Sequence, residues 1–162
     1  VPAPSDDALE AAKQGNLGQL LLRSARLFDA LAFGRFAKAH PEIRRAHLQL
    51  MPHLDLEGTR ITELARRAEI TKQAVGQLVT DLEAVGYVER RPDPTDQRAK
   101  IVTLTERGRS GVLEGLAVFA QVVEDLRAEV GSETVDRLTR DLEALLGALE
   151  RRTASVSQSR GK

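Results

Sequence analysis

Apolar positions recur at helical spacing along most of the chain and switch to alternation over one short stretch. From Asn16 to about Ala39, Leu17, Leu20, Leu21, Leu27, Phe28, Leu31 and Phe36 approximate a 3.6-residue period and predict a helix, closed by Pro41. Glu42 to Leu54 (EIRRAHLQLMPHL) reads as a second helix that Pro52 should kink or end early, and Gly58 then breaks the chain. Ile61 to Glu69 is a short helix with Ile61, Leu64, Ala65 and Ala68 on its inner face, Thr62 as N-cap and Glu63 in its first turn. Thr71 caps a further helix, about Lys72 to Val85, which Gly86 terminates. Tyr87–Arg91 and Arg98–Leu104 then read as strands joined by a Pro- and Asp-containing turn over Pro92–Gln97.

Thr105 caps a long helix to about Val130. Its stripe is Val112, Leu116, Phe119, Val123, Leu126 and Val130. After Gly131 a second stripe follows at Val135, Leu138, Leu142, Leu145 and Leu149. Alternating steps of three and four are the spacing of helices that pack along a seam. The fold class predicted is mainly α with a small β-hairpin wing. Residues 1–15 and the Ser- and Arg-rich 151–162 are predicted disordered. Between them lie an N-terminal helix (16–40), a winged helix-turn-helix lobe (42–104) and two C-terminal helices (105–150).

Composition excludes several classes. With no Cys, thiolate metal sites, disulfides and cysteine redox sensing drop out. No apolar run approaches a membrane span, and VPAPSDDALE lacks the basic-then-apolar order of a signal peptide, so the expected location is cytoplasmic. Formal net charge is zero, yet it is sorted. Arg90 to Arg109 holds six cations against three acids, and Val112 to Glu150 holds three cations against nine acids. A chain with one basic and one acidic region suits a protein that meets phosphate on one side only.

The helix after Thr71 carries the most chemistry. Val75, Leu78, Val79, Leu82 and Val85 form its apolar face; Lys72, Gln73, Gly76, Gln77 and Thr80 fall on the opposite one. An amide side chain can pair bidentately with an adenine edge, and Lys can reach guanine or phosphate. Gly76 costs helix stability. It allows close approach either to a groove floor or to another helix. A solvated polar face is the plainer reading of the same residues.

The run Gly58–Gly108 resembles the MarR family of bacterial transcriptional regulators, through TKQAVGQLVTDLEAVGYVER, DPTDQR and LTERG. The resemblance implies a homodimeric winged helix-turn-helix protein whose N- and C-terminal helices form the dimer interface. It implies sequence-specific binding of double-stranded DNA at a pseudo-palindromic operator, as a repressor released by a small aromatic or anionic effector. By the same resemblance Thr71, Lys72, Gln73, Gly76, Gln77 and Thr80 are the major-groove positions. Arg98 is the wing arginine of the minor groove, and Asp96 the acid that orients it. Arg90, Arg91, Lys100 and Thr62 stand where backbone contacts fall. A local ion pair between Asp96 and Arg98, and ordinary solvated charge at Arg90 and Arg91, are the alternatives.

Arg26, Arg44, His47 and His53 could contribute polar contacts to an effector between the first helix, Glu42–Leu54 and the long helix. The three histidines lack acidic or Cys partners at metal-ligand spacing, and neither metal nor cofactor is expected. No phosphate loop, H-E-x-x-H or nucleophile elbow is present, so the chain does not read as an enzyme. One Tyr, four Phe and no Trp argue against stacking on single strands. A helical protein-interaction module is the remaining alternative. It accounts for the long stripes but not for an arginine-bearing wing.

Overall fold

The computed structural model describes Ser5 and residues 16–159, with the side chains of Gln97 and of residues 156–159 left aside. The N-terminal expectation for 1–15 otherwise lies outside these residues. The chain divides into two compact units, Val1–Phe119 and Ala120–Lys162. In the first, helix α1 runs Leu17–Ala39, with the Asn16 side chain accepting from the Gly18 and Gln19 amides.

The single helix expected over 42–54 is instead two short pieces, α2 (Arg45–Leu48) and a 3-10 turn (Met51–His53). Pro52 sits in the opening turn of the second piece rather than kinking a continuous helix, because a proline fits where no amide partner is needed. Thr59–Arg60 then forms strand β1, which no sequence signal announced. Helix α3 follows directly at Ile61–Arg67; its N-cap is Arg60 in extended backbone, not Thr62, which lies inside the helix. Glu69 takes a positive φ of 54° between α3 and the next helix.

Helix α4 spans Lys72–Ala84. Thr71 Oγ1 caps it by accepting from the Ala74 amide at 3.1 Å, and Gly86, at φ 77°, turns the chain out. The wing is longer and tighter than expected. Strand β2 is Val88–Asp93 and β3 is Asp96–Leu104, so only Pro94 and Thr95 remain in the turn. The sheet order is β1-β3-β2, antiparallel throughout, with Val88 opposite Leu104, Thr59 opposite Val102, and an irregularity at Pro92/Asp93. Leu64, Val75, Val79, Leu82, Val88 and Val102 are buried in one cluster with Phe36, Ile43, Leu50 and Tyr87. That cluster fixes α4 against the wing and under α1.

Helix α5, Glu106–Val130, starts on the wing's base. Thr105 accepts from the Gly108 amide at 3.0 Å and donates to the Gly86 carbonyl at 2.6 Å, while its own amide bonds the Tyr87 carbonyl at 3.1 Å. A Cβ at Gly108 would sit 1.9 Å from the Tyr87 carbonyl oxygen, and one at Gly111 would sit 2.7 Å from the Tyr87 ring. No side chain fits at Gly108 or Gly111, where α5 meets Tyr87.

In the second unit α5 reaches Gly131, at φ 88°, and helix α6 runs Ser132–Ser159. Arg127 joins the two helices across this corner, pairing with Glu124 at 3.2 Å and Asp136 at 2.6 Å. Helix therefore continues through residues 151–159, where composition predicts disorder; 160–162 lie outside the described residues. The stripe of α6 is largely open in one chain, with Leu138 at 55 % and Leu149 at 49 % exposure.

Replacing Gly108 by Ala must push α5 off the Tyr87 backbone. Urea unfolding should show a loss on the order of 1–3 kcal/mol, the cost of overfilling a packed contact, and Gly86→Ala should leave the α5 contact intact.

Candidate nucleic-acid interface

Helix α4 lies with Val75, Val79 and Leu82 buried, so the helical period turns Lys72, Gln73, Gln77 and Thr80 outward, all exposed. Gly76 is half-buried, and a Cβ there would meet nothing within 4 Å. Among the described residues, nothing packs on α4 closely enough to require this glycine. Thr71, exposed, is spent on capping. Thr80 Oγ1 donates to the Gly76 carbonyl at 2.9 Å, a back-bond within the helix.

The face is not free of acid. Gln77 Nε2 donates to Asp81 Oδ1 at 2.9 Å, and the other carboxylate oxygen of Asp81 is paired with Arg44. That oxygen also lies 3.6 Å from His47 Nε2. His47 is buried; its Nδ1 accepts from the Arg44 amide at 3.2 Å. Burial, and then the Arg44 charge, hold His47 below the ordinary imidazole value; its Nε2 lies 3.1 Å from Arg44 Nη2. Gln77, then Arg44 and His47, hold the Asp81 carboxyl below its usual range.

The wing residues fall into two groups. Arg90 turns inward to α4: its guanidinium pairs with Glu83, donates to Thr80 Oγ1 at 2.9 Å and reaches the Gly76 carbonyl at 3.3 Å. Its first task is to clamp the wing to α4. Arg91 is exposed and paired with Glu89 at 2.5 Å. Lys100 and Thr62 are exposed. Arg98 is exposed, and its guanidinium has no partner among the described residues. Asp96 accepts from the Arg98 backbone amide at 3.1 Å. It therefore shapes the strand entry and does not hold the guanidinium, contrary to the role expected of it.

The residue that builds the turn is Asp93, which sequence reasoning passed over. Its Oδ1 accepts from both the amide and the hydroxyl of Thr95 at 2.7 Å, and its Oδ2 takes Arg60 Nε of β1 at 2.5 Å. The side chain is almost wholly buried, at 5 % residue exposure. The Thr95 bonds, and then Arg60, hold its carboxyl far below the usual Asp value. The Asp-Pro-Thr order is the signal for such a side-chain turn.

A cavity of about 330 Å³ lies within the first unit, between α1, residues 43–52 and the start of α5. Phe33, Phe36, Tyr87 and Phe119 give it aromatic walls. Of the four residues suggested for an effector, only His47 lines it; Arg44 opens on the surface groove beside α4, and neither Arg26 nor His53 lines either space. Asp29, at the cavity wall, is paired with Arg45, whose guanidinium lies 4.9 Å from the centre of the Phe33 ring.

A sequence model described as the MarR family matches residues 43–99, which hold α2, α3, α4 and most of the wing. The transcriptional regulator TcaR of Staphylococcus aureus is 27 % identical over 106 residues, 64 % of this chain and 70 % of TcaR. Over residues 43–99 the chain is similar to the MarR family. The apo crystal structure of Escherichia coli MarR has the same fold, with a TM-score of 0.68 at 21 % identity, covering 81 % of this chain and 97 % of that one. The LexA repressor of Deinococcus radiodurans is 32 % identical over 104 residues; the match spans 64 % of this chain but only 47 % of that relative's length. Among curated relatives the chain thus spans from about half to under three-quarters of the MarR-type and repressor proteins it matches.

The lowered carboxyl of Asp93 fixes a sign. Its contribution to stability is complete above the unfolded Asp value of about 4 and is lost as pH falls toward the folded value. Urea unfolding at pH 7 and pH 3 should show the parent losing stability in acid, while Asp93→Asn starts lower and falls less.

Proposed function

We propose that the chain is a homodimeric regulator that binds double-stranded DNA at a pseudo-palindromic operator. The observation that carries this reading is the open face of α4 beside a wing whose Arg98 guanidinium has no partner among the described residues. Lys72, Gln73, Gly76 and Gln77 enter the major groove, with Gln73 and Gln77 reading base edges. Arg98 reaches the minor groove or the phosphate beside it. Lys100, Arg91 and Thr62 lie on exposed surface suited to backbone contacts. Arg90 works through its clamp on α4.

Dimerisation is supported by apolar surface that one chain leaves open. Leu22 is 70 % exposed on α1 and Leu113 67 % on α5. Exposed apolar side chains at this density mark a surface that meets a partner, and the family's N- and C-terminal helices serve that purpose. Two copies would present two α4 helices, which matches a two-fold operator.

The aromatic-walled cavity supports an effector that is aromatic and apolar. The cations near it are already engaged, Arg45 by Asp29 and Arg44 by Asp81, so an anion finds little to pair with there. Such a ligand would release DNA by favouring a different spacing of the α4 helices, which makes the regulator a repressor.

Duplexes selected from random sequence by the full chain test the reading. Affinity for the selected site should fall steeply as salt rises. Gln73→Ala or Gln77→Ala should each cost roughly 1–3 kcal/mol of discrimination at one base pair. Arg98→Ala should weaken all duplexes alike and reduce the salt slope by about one ion. Absence of duplex binding at low salt would leave a helical interaction module as the better account. Light scattering should give a mass of two chains; a monomer would remove the two-fold operator.

The open space at Gly76 permits a second check. Gly76→Ala should stabilise α4 by up to about 1 kcal/mol in urea unfolding while weakening operator binding, because a methyl group stands between helix and groove.

A further inference from the structure

The Asp81 carboxylate links the reading face to Arg44 and the buried His47. Its Oδ1 accepts from Gln77 Nε2 at 2.9 Å. Its Oδ2 is taken by Arg44, with His47 Nε2 3.6 Å away. An ionised carboxylate can only accept hydrogen bonds. The amide of Gln77 must therefore turn its nitrogen, never its oxygen, toward Asp81. One N–H is consumed, and one N–H and the carbonyl oxygen remain for an outside partner.

We propose that Asp81 is a specificity-determining positioning residue: by fixing the Gln77 carboxamide in one orientation, it makes that side chain read adenine and reject guanine. This rests on the major-groove reading of α4. Adenine offers an acceptor at N7 beside a donor at N6, which matches one remaining N–H and one carbonyl oxygen. Guanine offers two acceptors, N7 and O6. An unrestrained glutamine could meet guanine by rotating its NH2 group to donate both hydrogens. Held by Asp81, it has only one to give, and its oxygen faces O6.

Asp81 is suited to this task because it is itself restrained. Arg44 stands at the N-cap of α2 and approaches from outside α4. Its charge also compensates the carboxylate, which would otherwise repel DNA phosphate from the reading face. His47 is buried behind, its Nε2 3.6 Å from the same carboxylate oxygen and 3.1 Å from Arg44 Nη2. The i to i+4 spacing of Gln77 and Asp81 stacks the two side chains on one helical ridge, so the bond is made before DNA arrives and its ordering cost is met in the free protein.

The test uses the full chain and the duplex it selects, with every single-base-pair change scored by competition. Gln77→Ala identifies the base pair that Gln77 reads, and that pair should be A·T. Asp81→Ala should reduce the preference for A·T over G·C at that pair alone by roughly three- to tenfold, the size of coupling between side chains in contact. Asp81→Asn can donate as well as accept, so it no longer dictates which way the Gln77 carboxamide turns and should lose much of the preference. In the Gln77→Ala background, Asp81→Ala should change nothing further at that pair.

The proposal is overturned if Asp81→Ala leaves the A·T preference intact. It is equally overturned if all positions weaken together, or if the two substitutions act independently. Urea unfolding of each variant separates lost fold from lost discrimination, and Asp81→Asn carries the test if Asp81→Ala does not fold. If Gln77→Ala alters discrimination nowhere while the parent still selects a site, the proposal and the assignment of Gln77 fall, but duplex binding stands. If the parent selects no duplex, the whole reading falls with it.

Discussion

The first turn of α5 lies directly on the backbone of Tyr87, and the arrangement of the winged lobe depends on that contact. Gly108 leaves no room for a Cβ against the Tyr87 carbonyl, and Gly111 leaves none against its ring. Thr105 meanwhile bonds the Gly86 carbonyl and the Gly108 amide. Tyr87 lies three residues beyond the end of α4 and directly precedes β2. One residue therefore sets the angle between reading helix, wing and long helix. Its hydroxyl donates to Glu42 at 3.0 Å and lies 2.6 Å from His40 Nδ1, which ties the end of α1 to the same point. Arg107 closes the junction by pairing with Glu42 and stacking over the Tyr87 ring.

From this junction outward, charge is used in two ways. Arg60, Arg67, Arg90 and Arg107 are committed to carboxylates or carbonyls inside the first unit. They fix elements in place and are poorly placed to meet an external phosphate. Lys72, Arg98 and Lys100 stand exposed on α4 and the wing. A count of cations alone merges these groups, and only their partners separate them. The same division explains why Arg90 and Arg98, both on the wing and eight residues apart in sequence, serve different ends.

Much of the lobe was legible because its signals are local. Thr71 and Gly86 bound α4 by capping and by a positive φ, both properties of a few consecutive residues. The alternating run before Thr105 marked β3, and the Pro- and Asp-containing turn set off β2. The strand β1 was missed because two residues carry no period, and they become a strand only by pairing with Ile101 and Val102, far away in sequence. Asp96 was expected to orient Arg98, but the ion pair at this turn is made by Asp93, with Arg60, and both acids flank the same turn. What separates them is burial and the reach of Arg60, neither of which composition contains. Ser- and Arg-rich composition misjudged residues 151–159, where helix simply propagates from the turns before it.

By itself the sequence determined the helical periods, the caps, the apolar stripes, the polar face of α4 and the family resemblance. All of these follow from neighbours within a few residues, where backbone geometry alone decides which side chains share a face. The tertiary structure decided which of those side chains are already occupied. Gln77 is bonded to Asp81, Asp81 to Arg44, and Arg90 to Glu83, whereas the Arg98 guanidinium is left open to solvent. Arg44 and Asp81 are 37 residues apart and meet only once α2 packs on α4, so no local pattern could pair them.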